Sequence, residues 1–337
     1  MQSRHFCLAL LLTVCGFSAH ADPLRVIAHD SFDLSKPVLA DFEKQTGIKV
    51  ELIKAGDAGQ MLNKLILTRA NPIADVVFGI DNTLVGRAAQ AGIIDPYTPK
   101  AGAKPVRFTL PNGVVSVDYG YVTLNLDKAW FAKSKLPLPK RLDDLTLPAY
   151  RNLLVVENPA TSSTGLAFLL STIRAMGEER AFQFWARLRQ NGLKVSNGWS
   201  QAYYTEFTRN GGARPIVLSY ATSPAAEVFY SKQKLNAAPT DNLLLPGAVF
   251  QQVEGIALIK GGHERAAAAK FIEFMRSDAV QKDLQTKMWM YPVVSGTPQA
   301  AVFGLVREPV QHQTPSAAEI QKNAPAWVKR WIRVVLK

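Results

Sequence analysis

The chain has 337 residues, with 39 Lys+Arg against 27 Asp+Glu, a formal net charge of +12, and 47% hydrophobic residues. The positive excess can steer anions, but no run of five or more basic residues appears, which argues against a nucleic-acid-binding protein. Both cysteines, Cys7 and Cys15, lie near the N-terminus.

That N-terminus reads as an export signal. Arg4 and His5 form a short basic region, a mostly apolar run follows from Phe6 to Phe17, and Ala19-His20-Ala21 offers a small-x-small cleavage site. The run is too short to span roughly 30 Å of hydrocarbon, which takes about 20 residues. Residues 1–21 are expected to be removed after Ala21, leaving a periplasmic protein. Lipidation at Cys15 is the rival, disfavoured by the bulk of Val14. Cleavage takes both cysteines, so a disulfide, a thiolate metal site and a cysteine nucleophile are all excluded from the mature chain. It also removes Arg4, which lowers the positive charge by one. His29, His263 and His312 then remain, with no His-x-x-x-His or Glu-x-x-His spacing, so neither a zinc enzyme nor another metal site is expected.

Roughly 315 residues remain, more than one core usually holds, so two lobes are expected. Leu24–Ala28 is a short strand, Ser35–Thr46 carries Val38, Leu39 and Phe42 at helical spacing before Gly47, and Ile48–Ile53 alternates as a second strand. A helix over Gln60–Thr68 and a buried strand over Ala74–Gly79 repeat that rhythm. The alternation predicts a mainly parallel sheet flanked by helices, an α/β fold. Val114–Asn125 is a strand long enough to cross between lobes. Leu153–Val156 leads through Asn158-Pro159 to the hydroxyl-rich Thr161-Ser162-Ser163 and a helix containing Leu166, Phe168 and Ile173. A further helix covers Gly177–Asn191, Ile216–Tyr220 is a strand, and the chain returns near Gln251–Ala257 before a helix over Ala266–Met275. The lobes are therefore expected at 22–123 with 251–337, and at 124–250. The last helix begins at Thr314-Pro315, a cap with proline at the first helical position. Its Trp327, Trp331, Ile332 and Val335, interleaved with Lys329, Arg330 and Arg333, predict docking on the protein's own surface in preference to a membrane.

Ser162 and Ser163 precede a helix, so free backbone N–H groups, hydroxyls and the positive dipole end can meet an anion there; ordinary N-capping uses the same residues. Tyr220, Thr222 and Ser223 end a neighbouring strand, where open parallel sheets bind ligands. Asp57 stands before the Gln60 helix, as an N-cap or as a carboxylate facing a cleft. Trp199 and Trp289 can stack on a cationic ring at about 0.5 to 2 kcal/mol each, or serve as core. Enzyme signatures are thin: Gly-x-Ser-x-Gly and Gly-x-x-x-x-Gly-Lys are missing, and Ser231 to Lys234 is a Ser-x-x-Lys without companions. Asp75, Asp81 and Asp118 are the remaining acid–base candidates.

Seven islands in order now carry a resemblance: His29-Asp30-Ser31-Phe32, Ala74 to Asn82, Asp118-Tyr119-Gly120-Tyr121, Asn158 to Ser163, Gly198 to Tyr203, Ser219 to Pro224, and Trp289 to Val293. Over nearly the whole mature chain the sequence resembles the periplasmic thiamine-binding proteins of bacterial thiamine ABC transporters. The resemblance implies a two-lobed periplasmic binding protein fold of the type with two interlobe crossings, type II-like, with the ligand in the cleft between lobes. It implies thiamine, thiamine monophosphate or thiamine diphosphate as ligand, an ABC permease as partner, a monomer, no cofactor and no chemistry. The site residues carried over are Asp57 and Ala58 from the first lobe; Ser162 and Ser163 as donors to phosphate; Trp199, Tyr220, Ala221, Thr222 and Ser223 along the second lobe; and Trp289 over the rings. Two departures stand out, His29 in place of a usual Tyr and Ala226 where an aromatic is common, and they predict a thinner aromatic cage. Ferric ion at Tyr203-Tyr204 and a periplasmic phosphoesterase are the alternatives.

Overall fold

The computed structural model describes residues 22–100, 102–233, 235 and 237–337. The expected export signal, its cleavage site, Cys7, Cys15 and Lys234 of the Ser-x-x-Lys pattern lie outside the described residues.

The chain opens with β1 (Leu24–Ala28), α1 (Lys36–Thr46), β2 (Val50–Lys54), α2 (Ala58–Leu67) and β3 (Val76–Asp81). Gly47 ends α1 because it can take φ 71°, which lets its N–H reach back to the Glu43 carbonyl. Next come α3 (Val85–Gln90), β4 (Ile94–Asp95) and the fully buried β5 (Val115–Asp127). The second half contains α4 (Lys128–Ser134), β6 (Leu154–Glu157), α5 (Ser163–Met176), α6 (Glu178–Gln190), β7 (Lys194–Ser196), α7 (Trp199–Gln201), β8 (Ile216–Tyr220), α8 (Ser223–Phe229) and β9 (Thr240–Leu243). The return is β10 (Phe250–Ile259), followed by α9 (Arg265–Met275), α10 (Asp278–Lys287), β11 (Tyr291–Pro292) and α11 (Ala317–Trp331).

One sheet runs through both halves in the order β2-β1-β3-β10-β5-β8-β6-β7. The outer ladders are parallel, β1 with β2 and β3 and β6 with β7 and β8. The central ladders are antiparallel, because β5 leaves the first half and β10 comes back beside it. The long Val114–Asn125 strand of the sequence is thus one of two crossing strands. Its buried faces join a core that runs from Met61 and Leu65 of α2 to Phe168 of α5 and Trp185 of α6.

The final helix starts two residues later than its sequence suggests. Ser316 is the cap, accepting from the Glu319 N–H at 3.2 Å, while Thr314 Oγ1 accepts from the Gln251 N–H at 2.8 Å and holds the incoming chain to β10. The helix docks on the protein, and among the described residues no helix is long and apolar enough to cross a membrane. Grouped with the first lobe in the sequence, it touches both halves. Its body packs on α3, whereas Trp331 lies fully buried against Trp185 at 5.5 Å and Trp327 Nε1 donates to Glu178 at 2.9 Å.

Candidate functional site

A cleft of about 440 Å³ opens where α2 of the first half faces the starts of α5, α7 and α8 of the second. Of the ten sequence candidates, Asp57, Ala58, Ser163, Trp199, Tyr220, Thr222, Ser223 and Trp289 line it. Ser162 and Ala221 stand behind the wall. The Ser162 hydroxyl pairs with Thr164 Oγ1 at 2.8 Å, and Thr164 in turn donates to Glu157. Ala221 is fully buried with its N–H on the Tyr121 carbonyl, so it anchors β8 to β5.

Asp57 is both an N-cap and a cleft residue. Its Oδ1 accepts from the Ala58 N–H at 2.7 Å, and Gln60 Oε1 returns to the Asp57 N–H at 3.0 Å, closing a capping box on α2. The same carboxylate reaches across the cleft, accepting from the Ser163 N–H at 3.4 Å and the Trp199 N–H at 2.9 Å. The N-terminus of α5, expected to hold a phosphate, therefore holds this carboxylate from the opposite half, as its dipole and free N–H groups favour. Two glycines permit the approach. A Cβ on Gly59 would lie 2.6 Å from the Thr161 carbonyl carbon, and one on Gly198 would lie 2.9 Å from Asp57 Oδ2. Burial raises the Asp57 pKa, outweighing the Trp199 N–H, the His29 charge and the remaining donors.

The aromatic wall is fixed by hydrogen bonds. Trp199 Nε1 donates to Ser219 Oγ at 2.8 Å, Ser219 pairs with Ser223 at 2.9 Å, and the Trp199 ring stacks on Tyr203 at 5.1 Å. Tyr220 OH donates to Gln252 Oε1 at 2.7 Å, and Gln252 Nε2 donates to Ser163 Oγ at 3.0 Å and to Asp81. Trp289 is held at φ 61°, a left-handed conformation costly for a residue with a side chain. It is kept there by its N–H on the Leu284 carbonyl and by Thr222 Oγ1 on its own carbonyl at 2.6 Å. Phe229 and Tyr230 flank its ring at 5.3 and 5.6 Å. Ala226, where the resemblance leads one to expect an aromatic, lines the cleft one turn before Tyr230, which lines it too. That i, i+4 relation was the available signal for Tyr230.

His29 and Glu254 form the buried floor, His29 Nε2 lying 3.3 Å from Glu254 Oε1, an ion-pair approach outside hydrogen-bond geometry. Gly79, at φ 99°, makes room for the imidazole, since a Cβ there would strike the ring. Burial opposes protonation of His29, but the Glu254 charge and the adjacent Asp57 outweigh it, and its pKa is raised. Behind Glu254 lies Asp118, its register partner on β5, wholly buried with neither carboxyl oxygen hydrogen-bonded. Burial, then the neighbouring Glu254 charge, push the Asp118 carboxyl well above its ordinary value.

Of the Tyr203-Tyr204 pair, Tyr203 is already engaged, its OH donating to Glu227 at 2.8 Å and its ring lying under Trp199, whereas Tyr204 is largely exposed. Among the described residues no group of three His, Cys, Asp or Glu side chains is placed to hold a metal ion.

Two halves joined by a pair of crossing strands, with a mobile-ligand-sized cleft walled by both, define a two-lobed solute-binding protein. The chain belongs to the bacterial extracellular solute-binding protein family, whose profile matches residues 71–323. It is 32% identical to the thiamine-binding periplasmic protein of Escherichia coli (strain K12), with 98% of each chain covered. Its similarity to the protein of that name from Brucella melitensis biotype 1 is 30% identity over 96% of each. A solved periplasmic thiamin binding protein superposes with a TM-score of 0.81 at 30% identity, covering 94% of this chain and 98% of that one. A ferric binding protein from Campylobacter jejuni, with a TM-score of 0.74 at 18% identity over 92% of this chain and 99% of that one, shares the fold alone.

Proposed function

We propose that this protein is the periplasmic receptor of an ABC importer, released from its export signal after Ala21, and that it captures thiamine and its mono- and diphosphate for delivery to the permease. The observation that carries this reading is a cleft of about 440 Å³ in which Trp199, Tyr220 and Trp289 meet the carboxylates of Asp57 and Glu254. Thiamine links a flat, cationic thiazolium ring through a methylene to a flat aminopyrimidine, so aromatic faces and buried acceptors answer both of its parts. The names of the relatives supply the same ligand independently. Residues 22–123 with most of the segment after 251 form one lobe and 124–250 the other, with the C-terminal helix strapped across both. Closure of the lobes traps the solute, and opening at the permease releases it, without bond making or breaking.

An esterified tail would have to share the Ser163 and Trp199 N–H groups with Asp57, so the three vitamers are to be compared directly. Native mass spectrometry of the freshly purified mature protein, followed by calorimetry with thiamine, its monophosphate and its diphosphate, tests the proposal. A bound mass and exothermic 1:1 binding are expected. No bound mass and no heat with any of the three removes the assignment. Ferric ion is the poorer reading because the Tyr203 hydroxyl is committed to Glu227.

A further inference from the structure

We infer that Glu254, steadied by His29 and Asp118, is the specificity-determining acceptor that reads the amino edge of the ligand's heteroaromatic ring. This rests on the thiamine reading of the cleft and adds a residue and a recognition chemistry to it.

Glu254 is 4% exposed, yet it lines the cleft. A carboxylate offers about four lone-pair positions. The protein faces the rear ones: Asp118 stands opposite Glu254 on β5, and His29 approaches its Oε1 at 3.3 Å from the end of β1. Among the described residues no other side chain or backbone N–H donates to Glu254, so its remaining acceptor capacity faces the cavity. A buried carboxylate left partly unsatisfied is destabilising, and a donor from the ligand removes that penalty. The surrounding surfaces say which donor fits. Tyr220 and Met290 also line the cleft, and Tyr220 OH is already spent on Gln252, so the floor offers a flat apolar slot ending in a charged acceptor. That combination takes an aromatic heterocycle carrying an N–H donor at its edge, an aminopyrimidine or a protonated ring nitrogen, and rejects one that presents a carbonyl oxygen there. The wall reinforces the preference: its charged residues are Asp30, Asp57, Glu227 and Glu254 with His29, and among the described residues it contains no lysine or arginine. The usual aromatic at position 29 would stack but bring no charge, whereas the imidazole pairs with Glu254 and keeps the carboxylate from being stranded.

The test compares thiamine with oxythiamine, in which an oxo group replaces the pyrimidine amino group, by calorimetry on the wild-type protein and on Glu254→Gln and His29→Phe. The wild type is expected to bind thiamine at least tenfold more tightly than oxythiamine. Glu254→Gln should lose at least tenfold for thiamine while binding oxythiamine as well as or better than the wild type, because the amide can donate to the oxo group. His29→Phe should weaken thiamine through the stranded Glu254 and leave the order of the two ligands unchanged. A merely structural role would lower both ligands together in Glu254→Gln, and that result, or equal wild-type affinities for the two, overturns the inference. Failure of the wild type to bind thiamine at all is a different outcome, one that removes the function proposed above and the inference with it.

Discussion

Asp57 combines a local duty with a long-range one. Its capping of α2 is written in four consecutive residues, Asp57 to Gln60, and is legible in any sequence that carries the pattern. Its cross-cleft duty is not, because the Ser163 and Trp199 N–H groups it accepts from lie 106 and 142 residues away. The helix N-terminus at Ser163, expected to meet a phosphate, meets in this structure the Asp57 carboxylate of the other lobe. Asp57→Asn separates the two duties, since asparagine is as good an N-cap but has one acceptor oxygen and an NH2 that would face one of the two N–H groups across the cleft. Loss of a hydrogen bond to a charged group costs about 1.5 to 3 kcal/mol. Affinity for thiamine is therefore expected to fall about tenfold or more, with the ligand-free melting temperature nearly unchanged, as read by calorimetry and thermal unfolding. An undiminished affinity would mean that the Asp57 clamp contributes nothing to closure.

Among the elements, α2 shows how a helix can be shaped by what must approach it. Its apolar face, Met61, Leu62 and Leu65, is plain in the sequence and lies fully in the core. Gly59 in its first turn looks like a poor choice, since glycine costs a helix interior about 0.5 to 1 kcal/mol relative to alanine. The structure supplies the reason, a backbone approach to Thr161 fastened by the Gln60 N–H on the Thr161 carbonyl at 3.0 Å. Gly59→Ala should therefore stabilise the helix slightly while wedging the lobes apart. The expected signature is an equal or higher melting temperature of the free protein, a larger radius of gyration by small-angle scattering with saturating thiamine, and weaker binding. A ligand-bound radius identical to that of the wild type would show that this contact does not limit closure. Short or amphipathically weak elements were the ones the sequence hid. α8 begins at Ser223-Pro224, which reads equally well as a turn, and α10 carries a buried face of Val280, Gln281, Leu284 and Gln285 that is half amide. Gln281 is there to donate to the Val117 carbonyl beside β11, a requirement set by tertiary structure.

For the molecule as a whole, what the sequence showed best was rhythm: the strand and helix periods of the first half, the crossing strand, and the ordered islands now gathered around one cleft. What it could not show was the register that places Glu254 opposite Asp118, because that pairing joins β5 and β10 across 254 − 118 = 136 residues of chain. That register concentrates acids in the closed interior. Burial raises Asp118 and Glu157 well above their ordinary values, raises Asp57, and raises Asp81 to about 6. His29 is raised too, by Glu254 after burial is overcome. The sign of the consequence is the same for each. From about pH 4 upward the unfolded chain releases protons that the folded chain keeps at these carboxyls, so folding stability falls as pH rises. The His29 contribution is complete below its ordinary value of 6.5 and is lost as pH rises through its raised one. Opposing them are carboxyls held below their ordinary values, among them Asp75, lowered by Arg25 and backbone donors despite burial, and Glu43, lowered by the Val50 N–H and Lys49; their stabilisation is lost only in acid, for Asp75 as pH falls below about 3.8. The ligand-free protein should accordingly melt highest near pH 4 and progressively lower toward pH 8, with part of the decline between pH 4 and 6 set by Asp81 and partly offset below pH 6.5 by His312, whose pKa burial lowers. Asp118→Asn removes a proton-holding acid whose oxygens accept nothing, and its amide can donate to Glu254. The variant's melting temperature should approach or pass the wild type's at pH 8 and show a shallower slope from pH 5 to 8. A wild-type melting temperature that is flat or rising over that range, or an Asp118→Asn slope equal to the wild type's, would show that the buried acids do not set the pH dependence of folding stability.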